Sequence, residues 1–120
     1  MLLNPVVSSA LHPALLVLVV GPGDEVIVPP HSYIASANAV LYCGARPVFA
    51  DIDPATLNLD PAKVAAAITP KTKAIMVVHQ VGRPADLAAL SDLARRHQIA
   101  LIEDAACAAG SEYQGQPIGG

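Results

Sequence analysis

Tryptophan is absent from this chain of 120 residues, phenylalanine occurs once and tyrosine three times, too few aromatic rings for a base-stacking platform. Charge is also scarce: charged residues make up 14%, against roughly 25% in an average soluble domain. The Lys and Arg residues are scattered singly apart from Arg95 and Arg96, and the net charge is −3. No basic footprint for nucleic acid or anionic lipid results. Cysteine is limited to Cys43 and Cys107, which form no C-x-x-C pair; a disulfide framework is excluded and a reducing cytoplasm is expected. His12, His31, His79 and His97 lack the spacing of metal ligands, so no metal site is expected. The apolar stretch 10–20 is too short to span a bilayer, and no Lys or Arg precedes Arg46, so neither an anchor nor a signal peptide is expected.

What is abundant is apolar surface. Hydrophobic residues account for 53% of a chain shorter than the about 150 residues typical of one domain. Size scaling gives an unfolded surface of ~17,800 Å² and a folded one of ~6,100 Å², enough burial for a real core. So apolar a composition on so short a chain implies faces covered by something outside it. Residues 1–120 are therefore expected to form a single, incomplete domain.

Val- and Ile-rich runs alternate with Ala-rich helical patterns, each change marked by Gly, Pro, Asn or Asp, which is the α/β signature. A first helix is predicted over 9–19, capped by Ser8 or Ser9, with Pro13 near its first turn and Gly21 and Gly23 ending it. Strands are predicted over 25–29, 46–50, 73–78 and 100–102. A second helix from Ser32 should bury Ile34, Ala37 and Leu41. A third, capped by Asp60 with Pro61 at its first position, should turn Val64, Ala67 and Ile68 inward. A fourth should bury Leu87, Leu90 and Ala94, with Arg95 and Arg96 favourably placed at its C-terminal dipole. Residues 112–119 read as a hairpin turning at Gln114-Gly115. Strands joined through helices imply a mostly parallel sheet with flanking helices, whose ligands gather beyond the carboxyl ends of the strands. Segments 29–33, 51–53, 79–82 and 104–110 form that edge.

There, residues 101–110 (LIEDAACAAG) deliver a carboxylate into a loop of small side chains, leaving room for a flat ligand beside a fixed negative charge. On pattern alone Asp104 either caps the following turn or meets a ligand. His79 either faces a substrate at the strand edge or satisfies a loop carbonyl, and Cys107 is either a nucleophile or a small packing residue. The GPGDEV segment at 21–26 precedes a strand and has Val26 at the third glycine position, which disfavours a nicotinamide site.

Six segments taken together resemble the DegT/DnrJ/StrS family of pyridoxal-phosphate-dependent sugar aminotransferases. They are GPGDEVIV at 21–28, SANAVL at 36–41, GARPVFADID at 44–53, ITPKTKAI at 68–75, VHQVGRPAD at 78–86 and IEDAA at 102–106. The resemblance implies the large domain of a fold-type I aminotransferase, assembled as a dimer, that moves an amino group from an amino-acid donor to a keto group on a nucleotide sugar. It implies that Asp104 pairs with the pyridine nitrogen of pyridoxal 5′-phosphate, that Tyr33 stacks on the ring with Ser32 beside it, and that Ser8 and Ser9 receive the phosphate. Three positions depart from the family pattern. Val7 stands where the phosphate loop usually has Gly, Cys107 replaces a Gln near the phenolic oxygen, and Ala109 replaces a common His. The family's Schiff-base lysine lies beyond Gly120, and Lys63, Lys71 and Lys73 do not match it, so no catalytic residue is assigned. The expectation is a truncated aminotransferase that is inactive alone. The alternatives are a non-catalytic α/β binding or assembly module that pairs through its apolar edge, and a nucleotide-binding domain of flavodoxin or Rossmann type, which the lack of a glycine loop after any strand disfavours.

Overall fold

The computed structural model describes residues 4–118, with side-chain surroundings from residue 10 onward. Four parallel strands, β1 (Glu25–Val28), β2 (Arg46–Phe49), β3 (Thr72–Val78) and β4 (Ala100–Asp104), form one sheet in the order β2-β1-β3-β4. The helices are α1 (Asn4–Val17), α2 (Ala35–Tyr42), α3 (Pro61–Ala67) and α4 (Leu87–His97). A hairpin follows, β5 (Glu112–Tyr113) and β6 (Gln116–Pro117), turning through Gln114 and Gly115 at φ 51° and 79°. Positive φ at both central residues is the type I′ pattern that matches strand twist.

Alternation along the strands divides the core into two layers. Val26, Val28, Ala74 and Met76 pack with Leu11, Leu15, Ala39 and Val40 on the α1/α2 side. Ile27, Ile75 and Val77 pack with Val64, Leu90 and Ala94 on the α3/α4 side. The connection from β2 to β3 passes β1, so strand order reverses between β1 and β3, where α/β sheets open a crevice at their carboxyl edge. At the amino edge, buried Glu25 accepts from the Thr69 hydroxyl at 2.6 Å and lies 3.7 Å from Arg46. The chain exposes 6762 Å², about a tenth more than size scaling gives for a self-contained domain.

Three of the four helices, α1, α2 and α4, end with one device. After α1, Val20 N–H bonds to Leu15 O and Val19 N–H to Leu16 O. After α2, Ala45 N–H bonds to Val40 O and Gly44 N–H to Leu41 O. After α4, Ile99 N–H bonds to Ala94 O and Gln98 N–H to Arg95 O. These are Schellman closures, with Val19, Gly44 and Gln98 in the left-handed region at φ 57°, 75° and 55°. Asp60 and Asp86 cap the starts of α3 and α4 by accepting from Ala62 N–H at 2.8 Å and Ala89 N–H at 3.1 Å.

Two helix predictions are corrected. The first helix begins by Asn4, so Ser8 and Ser9 lie inside it rather than capping it, and Pro13 falls in its interior. That helix stops at Val17, turned by Val19 before the glycines are reached. In α2 the inward face is Ala35, Ser36, Ala37, Ala39 and Val40, while Ile34 and Leu41 are exposed. Small side chains let α2 approach the sheet and α1 closely, which turns the large ones outward.

Candidate functional site

Three loops meet at the carboxyl edge near the reversal of strand order. The loop after β1 carries His31, Ser32 and Tyr33; a single 3-10 turn after β3 spans Gln80–Gly82; the turn after β4 carries residues 105–107. They are tied together. The Gln80 side-chain amide donates to His31 O. Ser111 Oγ donates to Gly82 O at 2.7 Å, and an added Cβ at Gly82 would lie 3.5 Å from Cys107 O.

Asp104 ends β4. Ala100 and Ile102 pack toward the α1/α2 layer, so two-residue alternation turns the Asp104 side chain the same way. It is only 8% exposed, and its Oδ1 accepts from Ala106 N–H at 3.1 Å. The turn-capping role read from the pattern is thus present, and it presets the carboxylate at the strand tip. Around it stand small residues, with Ala108 buried and Cys107 exposed as a free thiol. Tyr33 is exposed on the loop after β1, and Ser32 Oγ shares a hydrogen bond of 3.2 Å with Ser36 Oγ. Asp104, Cys107, Ser32 and Tyr33 therefore share one edge.

α1 enters β1 through the short connection 18–24, so its N-terminal end lies toward the same edge, on the face to which Asp104 turns. Ser8 and Ser9 lie on that helix, where interior N–H groups bond to the carbonyl four residues earlier. A buried anion, an exposed aromatic ring and small neighbours fit a flat, cationic heteroaromatic ring such as protonated pyridoxal phosphate. No lysine joins them: Lys63 is on α3, and Lys71 and Lys73 lie at the amino end of β3, the opposite edge. Among the described residues no three His, Cys, Asp or Glu side chains group as metal ligands.

The substrate-edge reading of His79 is corrected. Its side chain is fully buried and turned toward the α3/α4 layer. Ala85 N–H donates to Nδ1 at 3.1 Å, so Nδ1 carries no proton, and Nε2–H donates to Glu103 Oε2 at 3.2 Å. Neither nitrogen remains for a ligand. Sequence reading missed Asn58, Gln80 and Glu103; only Glu103 had a signal, its position beside Asp104. Val81, at the tip of the 3-10 turn, is 83% exposed with φ 52°, an unusual conformation for a β-branched residue.

A sequence model of the DegT/DnrJ/EryC1/StrS aminotransferase family matches residues 7–120. GDP-perosamine synthase of Caulobacter vibrioides is 56% identical over 112 residues, 93% of this chain and 30% of that protein. The crystal structure of S. venezuelae DesV in complex with a ketimine intermediate is similar at TM-score 0.92 and 50% identity, over 94% of this chain and 30% of that one. The PLP-form of putative sugar aminotransferase Spr1654 from Streptococcus pneumoniae is similar at TM-score 0.88 and 37% identity, over 94% of this chain and 33% of that one. The chain thus spans about a third of the length of these relatives.

Proposed function

Because this chain belongs to the DegT/DnrJ/EryC1/StrS aminotransferase family, we propose that it carries the cofactor-binding edge of a pyridoxal-phosphate-dependent sugar aminotransferase. The observation that carries this reading is the buried carboxylate of Asp104, preset at a strand tip on the edge it shares with Tyr33. When bound, pyridoxal phosphate supplies a protonated pyridine ring that draws electron density from the carbon bearing the amino group. Asp104 holds the proton at the ring nitrogen through a charge-assisted hydrogen bond. Tyr33, with Ser32 beside it on the loop after β1, and Cys107, on the turn after β4, would line the bound ring. Ser8 and Ser9 neighbour the phosphate as residues toward the N-terminal end of α1, although that helix engages their backbone N–H groups.

The substrate class is a keto sugar on a nucleotide, with an amino acid as donor; the GDP-perosamine synthase relative supports it by name. Lys71 and Lys73 lie at the opposite edge, and Lys63 is on α3, which covers the sheet face away from Asp104, so the 120-residue chain is proposed to bind the cofactor without completing amino transfer alone. Free Cys43 and Cys107 support a reducing, cytoplasmic setting. No helix among the described residues is long and apolar enough to cross a membrane.

Titration of the purified chain with pyridoxal phosphate, followed by absorbance, tests the reading. Saturable binding that Asp104→Ala weakens by about tenfold or more supports it. Binding of equal strength in both proteins, or none in either, removes it.

One observation favours a second reading, a non-catalytic assembly module. Val17, Val19 and Tyr42, at the C-terminal ends of α1 and α2, are each more than 60% exposed, an apolar surface suited to a second copy or a partner chain. A monodisperse monomer at high concentration would count against that reading.

A further inference from the structure

We propose that His79 is a positioning residue for Asp104, acting through Glu103 and through the backbone of β4 rather than by touching a ligand. The proposal deepens the reading of Asp104 as the cofactor's carboxylate partner and rests on it.

Among the described strands β4 is outermost, so only β3 supports it, through the closing pairs Val77↔Glu103 and Val78↔Asp104. Strand ends held on one side fray most readily. Three bonds from His79 oppose this. Its backbone N–H donates to Asp104 O at 3.2 Å, which extends the ladder by one residue. Its Nε2–H donates to Glu103 Oε2 at 3.2 Å, and its Nδ1 accepts from Ala85 N–H at 3.1 Å, fixing the ring from the far side.

The leverage comes from alternation. Glu103 and Asp104 project to opposite faces, so any roll of the strand tip moves the two carboxylates in opposite senses. Holding Glu103 on the α3/α4 face sets the angle at which Asp104 presents itself on the other. Pure packing does not require this chemistry, since an apolar ring of similar size would fill the space. That substitution would leave Ala85 N–H and Glu103 without partners.

The test uses the full chain and four variants. In His79→Gln the terminal amide can reach the Nε2 position and keep a donor to Glu103. His79→Asn supplies an acceptor near Nδ1 but falls short of Glu103. Glu103→Gln keeps an acceptor for His79, and Glu103→Ala removes it at a partly exposed position. Two readouts are followed: exchange of the Ala106 and His79 amides against amides of β1, and pyridoxal-phosphate affinity.

His79→Asn and Glu103→Ala are expected to speed Ala106 exchange by about tenfold without a matching change in β1, and to weaken cofactor affinity by a similar factor. His79→Gln and Glu103→Gln should stay within about threefold of wild type. If Gln and Asn at position 79 behave alike, or Ala106 exchange rises only in step with β1, the positioning role is overturned. Should the His79 variants fail to fold, the Glu103 pair decides by the same criterion. If wild type binds no cofactor yet Ala106 exchange still separates the variants, the cofactor reading falls and the mechanical role of His79 stands.

Discussion

The side chain of Asn58 bonds to the backbone at both ends of the turn after β3, at Gln80 and at Arg83 and Pro84. Its Oδ1 accepts from Gln80 N–H at 2.9 Å, while Nδ2 donates to Arg83 O at 3.0 Å and Pro84 O at 3.2 Å. Only 2% of Asn58 is exposed, so the loop after β3 has its polar backbone groups satisfied by one amide arriving from the β2–α3 connection. Gln80 in turn donates to His31 O. The loops after β1 and β3, which border the reversal of strand order, are thereby joined through Gln80, whose backbone Asn58 holds.

Asn58→Asp is isosteric but cannot donate to the two carbonyls and buries a charge against them. A loss of about 2–4 kcal/mol is expected in urea unfolding, with little change in the slope. A loss below about 1 kcal/mol would show that water replaces these bonds.

The helix closures predict opposite responses to glycine. Val19 and Gln98 occupy left-handed conformations that cost roughly 1–2 kcal/mol for a side chain with Cβ, so Val19→Gly and Gln98→Gly should each raise the unfolding free energy by about 0.5–1 kcal/mol. Gly44→Ala should lower it by about 1–2 kcal/mol, since φ is +75° and the new Cβ would lie 3.1 Å from Pro22 Cγ. Thermal melts of the three variants check this.

Burial pushes the Cys43 thiol above its ordinary range. The thiolate is the reacting species, so a raised value lowers its fraction at any given pH. Alkylation of Cys43 should therefore reach half-maximal rate at a higher pH than a free cysteine does, and exposed Cys107 should be labelled first at neutral pH. Mass mapping after iodoacetamide pulses across pH measures both; early labelling of Cys43 would contradict the shift.

Lysine placement makes a prediction about the cofactor. Lys71 and Lys73 lie at the amino end of β3, the opposite edge from Asp104, so Lys71→Ala and Lys73→Ala should leave pyridoxal-phosphate affinity within about twofold. Wild-type chain given an amino acid and a keto sugar should form no new amine. Loss of binding in either variant would move the cofactor to the other edge.

Much of the site's framework was legible because its signals are local. Asp60-Pro61 announces a helix start by chemistry complete within four residues, and Gln114-Gly115 a hairpin turn. The run 74–78 reads as a buried strand because one residue after another is apolar. Asp104 could be placed at the carboxyl edge because a strand directly precedes it. His79 could not be resolved, since its partners, Ala85 and Glu103, arrive from a loop and from a different strand. The α2 stripe was misjudged for a related reason. Size alone ranked Ile34 and Leu41 as core, whereas the narrow gap to the sheet and α1 admits only small residues.

Residue order by itself determined the alternation of strands and helices, the parallel arrangement that follows from it, and the acidic tip of β4. Tertiary structure alone decided that β1 sits between β2 and β3, which strand ends border the crevice, and that His79 turns inward while Asp104 turns to the other face. The division has a physical cause. Caps, turns and periodicity are settled among residues a few positions apart, whereas strand order and burial depend on neighbours brought together only when the sheet is assembled.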